Sequence, residues 1–109
     1  MLAPNTPPRI LMVDDEPDTL QLIRKILEAD GYEIHQAANG VEALEYIQSH
    51  WPDLVLLDVV MPEMDGMAVL RELRRLDATA GVIMVSALSS ESLVVQAMMD
   101  GADDFVNKP

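Results

Sequence analysis

Five short aliphatic runs, separated by longer stretches of helical period, constrain this chain more than any other feature of its sequence. Ile10-Leu11-Met12-Val13, Leu54-Val55-Leu56-Leu57 and Val82-Ile83-Met84-Val85 are apolar at every position, as expected of strands covered on both faces, and should form the centre of a sheet. Glu33-Ile34-His35-Gln36-Ala37 alternates polar and apolar residues and reads as an edge strand; Phe105-Val106 reads as the start of a fifth. Strands that alternate with helices argue for βαβ units and a parallel sheet, an open α/β fold. The 109 residues suit one such domain and no more.

Between the runs, Leu20, Ile23 and Leu27, with Ile26, form an apolar stripe on a helix opened by Pro17-Asp18 and stopped by Gly31. Val41, Leu44 and Ile47 mark a second helix entered at Asn39-Gly40, and Val69, Leu70, Leu73 and Leu76 a third that starts at Asp65. Ser89 or Ser90 caps a fourth, carrying Leu93, Val94, Ala97 and Met98 and ending near Gly101. The eight methionines fall in strands and on helix faces and read as core filling.

Composition removes whole classes of function. With no cysteine there is no disulfide, thiolate metal site, Cys nucleophile or redox motif, which is compatible with a cytoplasmic setting. A formal charge of -12 and a pI near 4.2 argue against direct binding of nucleic acid or an anionic membrane, both of which need a basic face. No apolar run approaches the roughly 20 residues of a membrane-spanning helix. Residues 1–8 carry three of the seven prolines, lack the pattern of a signal peptide, and are expected to be a disordered leader to a domain over 9–109.

In open parallel sheets ligands gather at the carboxyl ends of the strands, so the polar residues that follow each run matter most. The first run ends in Asp14-Asp15-Glu16, the third in Asp58, the fourth in Ser86, and the fifth leads into Lys108. All should open onto one crevice. Converging carboxylates raise the pKa of at least one of them unless a cation sits among them. Oxygen ligands without Cys or a suitably placed His favour Mg2+, or Mn2+, over zinc. A metal between Asp15 and Asp58 would neutralise an incoming phosphoryl group, Lys108 and Ser86 would contact its oxygens, and Asp58 would be the nucleophile of an aspartyl phosphate. Each residue alone has a plainer reading: Asp14-Asp15 as caps of the first helix, Asp58 as a turn residue, Lys108 as a solvated charge. Their joint placement at one end of the sheet is what carries the argument.

Ile10-Leu11-Met12-Val13-Asp14-Asp15-Glu16, Leu54-Val55-Leu56-Leu57-Asp58, Met61-Pro62-Glu63-Met64-Asp65-Gly66, Val82-Ile83-Met84-Val85-Ser86-Ala87 and Asp104-Phe105-Val106-Asn107-Lys108-Pro109 together resemble the receiver domains of two-component response regulators. The resemblance implies a flavodoxin-like doubly wound sheet with strand order 2-1-3-4-5. It makes Asp58 the phosphoacceptor, accepting from a phosphohistidine on a sensor histidine kinase or phosphotransfer protein. Asp15, Asp58 and the backbone carbonyl of Val60 become the Mg2+ ligands, with Asp14 acting largely through water, and Lys108 pairs with the phosphoryl oxygens. Ser86 and Phe105 become a coupled switch toward an output domain or partner protein, Phe105 standing where Tyr is often found. The resemblance also implies a cis Lys108-Pro109 peptide, and lifetime control at Val60 and Leu88, whose apolar side chains imply slow loss of phosphate.

Relative to the family the chain lacks the usual fifth helix, as if truncated at its C-terminus. Part of the sheet should therefore be exposed, and the isolated chain should be less stable or form a homodimer. His35 and His50 read as surface or boundary residues, and Trp51 as a partly exposed residue packed at a helix-to-strand turn. Three rival readings fit the residues less well. An aspartate-nucleophile phosphatase needs a carboxylate two residues after the nucleophile, where this chain has Val60. A nucleotide- or flavin-binding module needs glycines after the first strand, where it has Asp-Asp-Glu-Pro-Asp. A phosphorylation-independent interaction module would not need the full set of site residues, all of which are present.

Overall fold

The computed structural model describes residues 6–61, 64–77, 79–88 and 90–108. The elements follow in strict alternation: β1 (Arg9–Val13), α1 (Pro17–Ala29), β2 (Glu33–Ala37), α2 (Gly40–His50), β3 (Leu54–Leu57), α3 (Gly66–Leu76), β4 (Gly81–Ser86), α4 (Glu91–Met99) and β5 (Asp104–Asn107). All neighbouring strands are parallel, in the order β2-β1-β3-β4-β5. The chain leaves β1 toward β2 and returns to β3 on the other side of β1, which opens a crevice between the carboxyl ends of β1 and β3. Among the described residues there are four helices, and none is long and apolar enough to cross a membrane.

The two faces of the sheet are covered unequally. Leu11, Val13, Val55, Leu57, Val82 and Met84 pack with Ala43 and Ile47 of α2, Val69, Leu70 and Leu73 of α3, and Ala97 of α4 in one large core. On the other face Ile10, Met12 and Ile34 pack with Leu20 of α1 in a much smaller cluster. β1 alone is buried on both sides after its first residue; β3 and β4 alternate, leaving Leu54, Leu56, Ile83 and Val85 half-buried. The expectation of three strands covered on both faces is therefore corrected to one, because α1 reaches over β1 and its immediate neighbours only.

Ile26 of α1, Val41 of α2 and Met98 of α4, expected in the apolar stripes, face water, and Met99 is exposed rather than filling the core. In α1, Leu20, Ile23 and Leu27 turn inward while Ile26 is largely exposed. In α2 the inward row is Gly40, Ala43, Leu44 and Ile47; Val41, at the next angle round, faces water. Gly40 belongs to this row because a Cβ there would stand 2.9 Å from Val69 Cγ2, so its absence lets α2 approach α3. Asn39, Asp65 and Ser90 each cap the helix that follows by accepting from the backbone N–H three residues on. Ser90 is thus a cap of α4, and the alternative, Ser89, lies outside the described residues. Trp51 ends α2 in the left-handed region, φ 47°, with its ring half exposed. Residues 1–5 of the expected leader also lie outside the described residues; at Pro8 the carbonyl already accepts from Glu33 N–H at 3.0 Å, beside the first rung of the β1–β2 ladder.

Candidate functional site

The site is assembled by continuing the sheet one residue beyond its strands. Asp14 N–H donates to the carbonyl of Ala37 at 3.2 Å and Asp58 N–H to that of Val13 at 2.9 Å, so both carboxylates leave the sheet side by side at the switch point. On the other flank Lys108 N–H donates to the carbonyl of Ser86 at 2.8 Å, extending the β4–β5 pairing and aiming the lysine stem back across the strand ends. Beneath Asp58 the first residue of α3 is packed against the backbone. Gly66 N–H donates to the carbonyl of Val59 at 2.8 Å, and a Cβ at Gly66 would stand 2.0 Å from the carbonyl oxygen of Asp58. Only glycine allows that approach. Asp65-Gly66 was legible as a helix start, but the contact that makes the glycine necessary was not.

The expected residues converge, with one exception. Asp14 and Asp58 are buried, Asp15 and Glu16 exposed, and one carboxylate oxygen from each of the four lies within 4.8 Å of the others. Lys108 Nζ is 2.8 Å from Asp14 Oδ2, 3.0 Å from Asp58 Oδ2 and 3.1 Å from Glu16 Oε1. Asp58 Oδ1 accepts from Val60 N–H at 3.3 Å, and Asp14 Oδ1 from Glu16 N–H at 2.9 Å. Asp14 and Asp15 do not cap α1: its N-cap residue is Glu16, which makes no side-chain capping bond. The exception is Ser86. It is fully buried, its Oγ accepts from Leu88 N–H at 3.0 Å, and it does not line the cleft above Asp58. Phe105 is half-buried against the larger core, on the Met84 side of the sheet.

That cleft, about 380 Å³, is lined by Asp15, Glu16, Asp58, Val60, Ala87, Leu88 and Lys108. Four carboxylates face one ammonium, so the site has a strong deficit of positive charge. Burial pushes the Asp58 carboxyl above its ordinary range; the Lys108 bond opposes this and the Asp14 charge adds to it. Burial pulls Lys108 down, but its bonds to Asp14, Asp58 and Glu16 outweigh that and hold the amine protonated well past its ordinary value. Hard oxygen donors this close, with a charge deficit, suit a divalent cation such as Mg2+. The residue two after Asp58 is the apolar, half-exposed Val60, so the acid/base carboxylate that a phosphatase would need is absent at that position.

His35 and His50 lie away from this cleft, at the β2 edge, where both associate with Tyr46: its ring centroid is 4.8 Å from that of His35 and 4.4 Å from that of His50. The geometry of the Lys108-Pro109 peptide, and Pro62 and Glu63, lie outside the described residues. Glu16 is the contact that sequence reasoning missed. It was visible as one of three successive acids, but its pairing with a lysine 92 positions away was not.

Comparison with known proteins agrees with the geometry. The sequence profile of the response regulator receiver domain matches residues 10–109. The chain is 45% identical over 102 residues to the chemotaxis protein CheY of Bacillus subtilis, covering 93% of this chain and 85% of that protein. Its structure is similar to a CheY-like receiver domain protein from Methanospirillum hungatei, with a TM-score of 0.92 at 35% identity, covering 95% of this chain and 83% of the other. It also resembles a chain in the CheX-CheY-BeF3-Mg+2 complex from Borrelia burgdorferi, with a TM-score of 0.91 at 39% identity over 94% of this chain and 79% of the other. The acidic crevice at the switch point, the 2-1-3-4-5 sheet and these relatives place the chain in the family of response regulator receiver domains.

Proposed function

We propose that the chain is a phosphorylation-dependent signalling switch in which Asp58 accepts a phosphoryl group from a phosphohistidine of a sensor histidine kinase or phosphotransfer protein. The observation that carries this reading is the buried carboxylate of Asp58 at the floor of an open cleft, with one oxygen on Lys108 and the other on Val60 N–H. An Asp58 oxygen attacks phosphorus in line with the leaving imidazole; the P–N bond breaks and the electron pair returns to the ring nitrogen, which takes up a proton. Lys108 follows the charge from the carboxylate to the phosphoryl oxygens. Asp15, Asp58 and the Val60 carbonyl would hold Mg2+, with Asp14 acting through water, and the cation would supply charge neutralisation for the transferring group. Asp14 has a second task, since its other oxygen anchors Lys108.

Relay to an output domain or partner protein would run through Ser86 and Phe105. The Ser86 hydroxyl must leave Leu88 N–H to reach a phosphoryl oxygen, which would free the start of the loop into α4. Phe105, already half inside, would follow. Val95, Met98 and Met99 of α4 and Val106 of β5 are exposed apolar residues available to a partner or a second copy. Val60 and Leu88 line the cleft with apolar side chains that orient no water; the phosphorylated state should be long-lived, and a Val60→Asn, Leu88→Glu variant should lose phosphate faster than the parent in a timed mass measurement.

The direct test is intact-mass spectrometry after incubation with acetyl phosphate, with and without Mg2+, on the parent and on Asp58→Ala. A single phosphoryl adduct that requires both Mg2+ and Asp58 supports the switch. No adduct on the parent would favour an interaction module that works without phosphorylation.

A further inference from the structure

Three carboxylates converge on the Lys108 ammonium: it donates to Asp58 at 3.0 Å and Glu16 at 3.1 Å and is ion-paired with Asp14 at 2.8 Å. A phosphoryl oxygen arriving above Asp58 must compete with these three anionic partners for Lys108. The three differ in how readily they can let go. Until the phosphoryl bond forms and takes up the Asp58 charge, release by Asp14 or Asp58, whose side chains are 8% and 5% exposed, would strand a buried charge, whereas that of Glu16 is 63% exposed and water can take over at once. Its position in the chain supplies a second observation. Glu16 is the N-cap residue of α1, where a short polar side chain would normally accept from the first turn, yet it makes no capping bond and turns to Lys108 instead. Glu16 and Lys108 also line both the cleft above Asp58 and a neighbouring groove of about 300 Å³ toward Thr19, Leu22, Ile23 and Val85, so their contact forms part of the wall between the two.

We infer that Glu16 is a placeholder for the phosphoryl group: in the resting chain its carboxylate occupies one proton of Lys108, and it yields that proton to a phosphoryl oxygen as the phosphodonor reaches Asp58, swinging into solvent. No proton is transferred, since Lys108 stays an ammonium and exchanges one oxygen for another. The inference rests on Asp58 being the phosphoacceptor. Glu16 is thus a positioning residue that acts through Lys108, keeping the ammonium aimed between Asp14 and Asp58 while competing with every incoming phosphodonor.

The test uses Glu16→Gln, which removes the charge, and Glu16→Asp, which keeps the charge but is one methylene too short to hold the same contact. With Mg2+ saturating, the half-saturating acetyl phosphate concentration, read by intact mass, should fall about two- to fivefold in both variants, the range an exposed ion pair supplies. A gain in Gln with Asp indistinguishable from the parent would mean that Glu16 acts only through its charge on the approaching anion, and would overturn the placeholder. A second readout needs neither metal nor phosphate. The sequence has only two lysines, Lys25 and Lys108, so the side-chain ammonium signals can be assigned by 15N NMR. The Lys108 signal should exchange with water faster in both variants than in the parent; an unchanged signal overturns the proposal. An adduct on the parent with no change in half-saturation in either variant refutes the placeholder alone, whereas failure of the parent to form any Asp58-dependent adduct refutes both readings.

Discussion

At the carboxyl ends of the strands Lys108 is held by Asp14, Glu16 and Asp58; at the amino ends Arg9 is held by Glu33 at 3.2 Å and by the carbonyl of His50 at 2.9 Å, while its backbone N–H donates to Asp53. Each cluster joins residues from separate elements around one cation. They differ in water. The Arg9 and Glu33 side chains are 40% and 39% exposed, whereas Lys108 and Asp58 are 10% and 5% exposed. An exposed pair gains little because solvent already serves both charges. In the buried cluster each charge depends on the others, so removing or adding one forces the rest to rearrange. That dependence is what a phosphorylation switch requires, and the amino end lacks it.

Lys108→Met tests the difference most severely. It leaves Asp14 and Asp58 buried without their cation and should cost about 3–5 kcal/mol, the usual consequence of breaking a buried pair. Thermal melts should show the loss, and Mg2+ should restore part of it by standing in for the ammonium; a melt insensitive to Mg2+ would count against a cation site among these carboxylates. Gly66→Ala comes next. Its Cβ would meet the Asp58 carbonyl oxygen at 2.0 Å, so the start of α3 or the end of β3 must shift, costing roughly 1–3 kcal/mol by overpacking. If Asp58 is the phosphoacceptor proposed above, phosphoryl acceptance should fall further than stability alone explains, because the displaced atoms carry its side chain.

How much of this could be read in the sequence depended on whether a feature is local. The strands, their order of appearance and the helix starts at Asn39 and Asp65 follow from short-range pattern. Periodicity gives the angle of a residue on its helix but not what stands opposite, which is why Val41 and Ile26 were placed inward and face water. The alternating burial of β3 and β4 was hidden for the same reason, since uniformly apolar strands look alike whether one face or two are covered. Asp14, Asp15, Asp58 and Lys108 were legible because a strand end announces where its next side chain goes. Glu16 and Gly66 were not, because each owes its role to one contact with an element that the local pattern does not name.

Asp58→Asn separates the cost of burying a charge from the chemistry done with it. Burial holds the Asp58 carboxyl above its ordinary value despite Lys108, with Asp14 adding to the rise. The folded chain therefore favours the neutral form more than the unfolded chain does, and the stabilisation from that preference is complete below the ordinary carboxyl value and lost as pH rises through the folded one. The Asn variant, neutral throughout, should melt above the parent at neutral pH and converge with it in acid, while accepting no phosphate. A lower melt at neutral pH would mean that the Lys108 bond outweighs burial.

The smallest effect belongs to Arg9→Met, which makes the same kind of deletion at the other end. Glu33 is held below its ordinary range first by its bond to His35, against a smaller cost of burial, and then by Arg9. Stability from a lowered carboxyl is present above its ordinary value and lost as pH falls through the folded one. Removing Arg9 leaves the larger His35 contribution in place, so this acid-side loss should shrink without vanishing, and at neutral pH the melt should move far less than in Lys108→Met. Equal losses in the two variants would show that burial is not what separates the clusters, and the reactivity proposed for Asp58 would then need a cause other than its shortage of water.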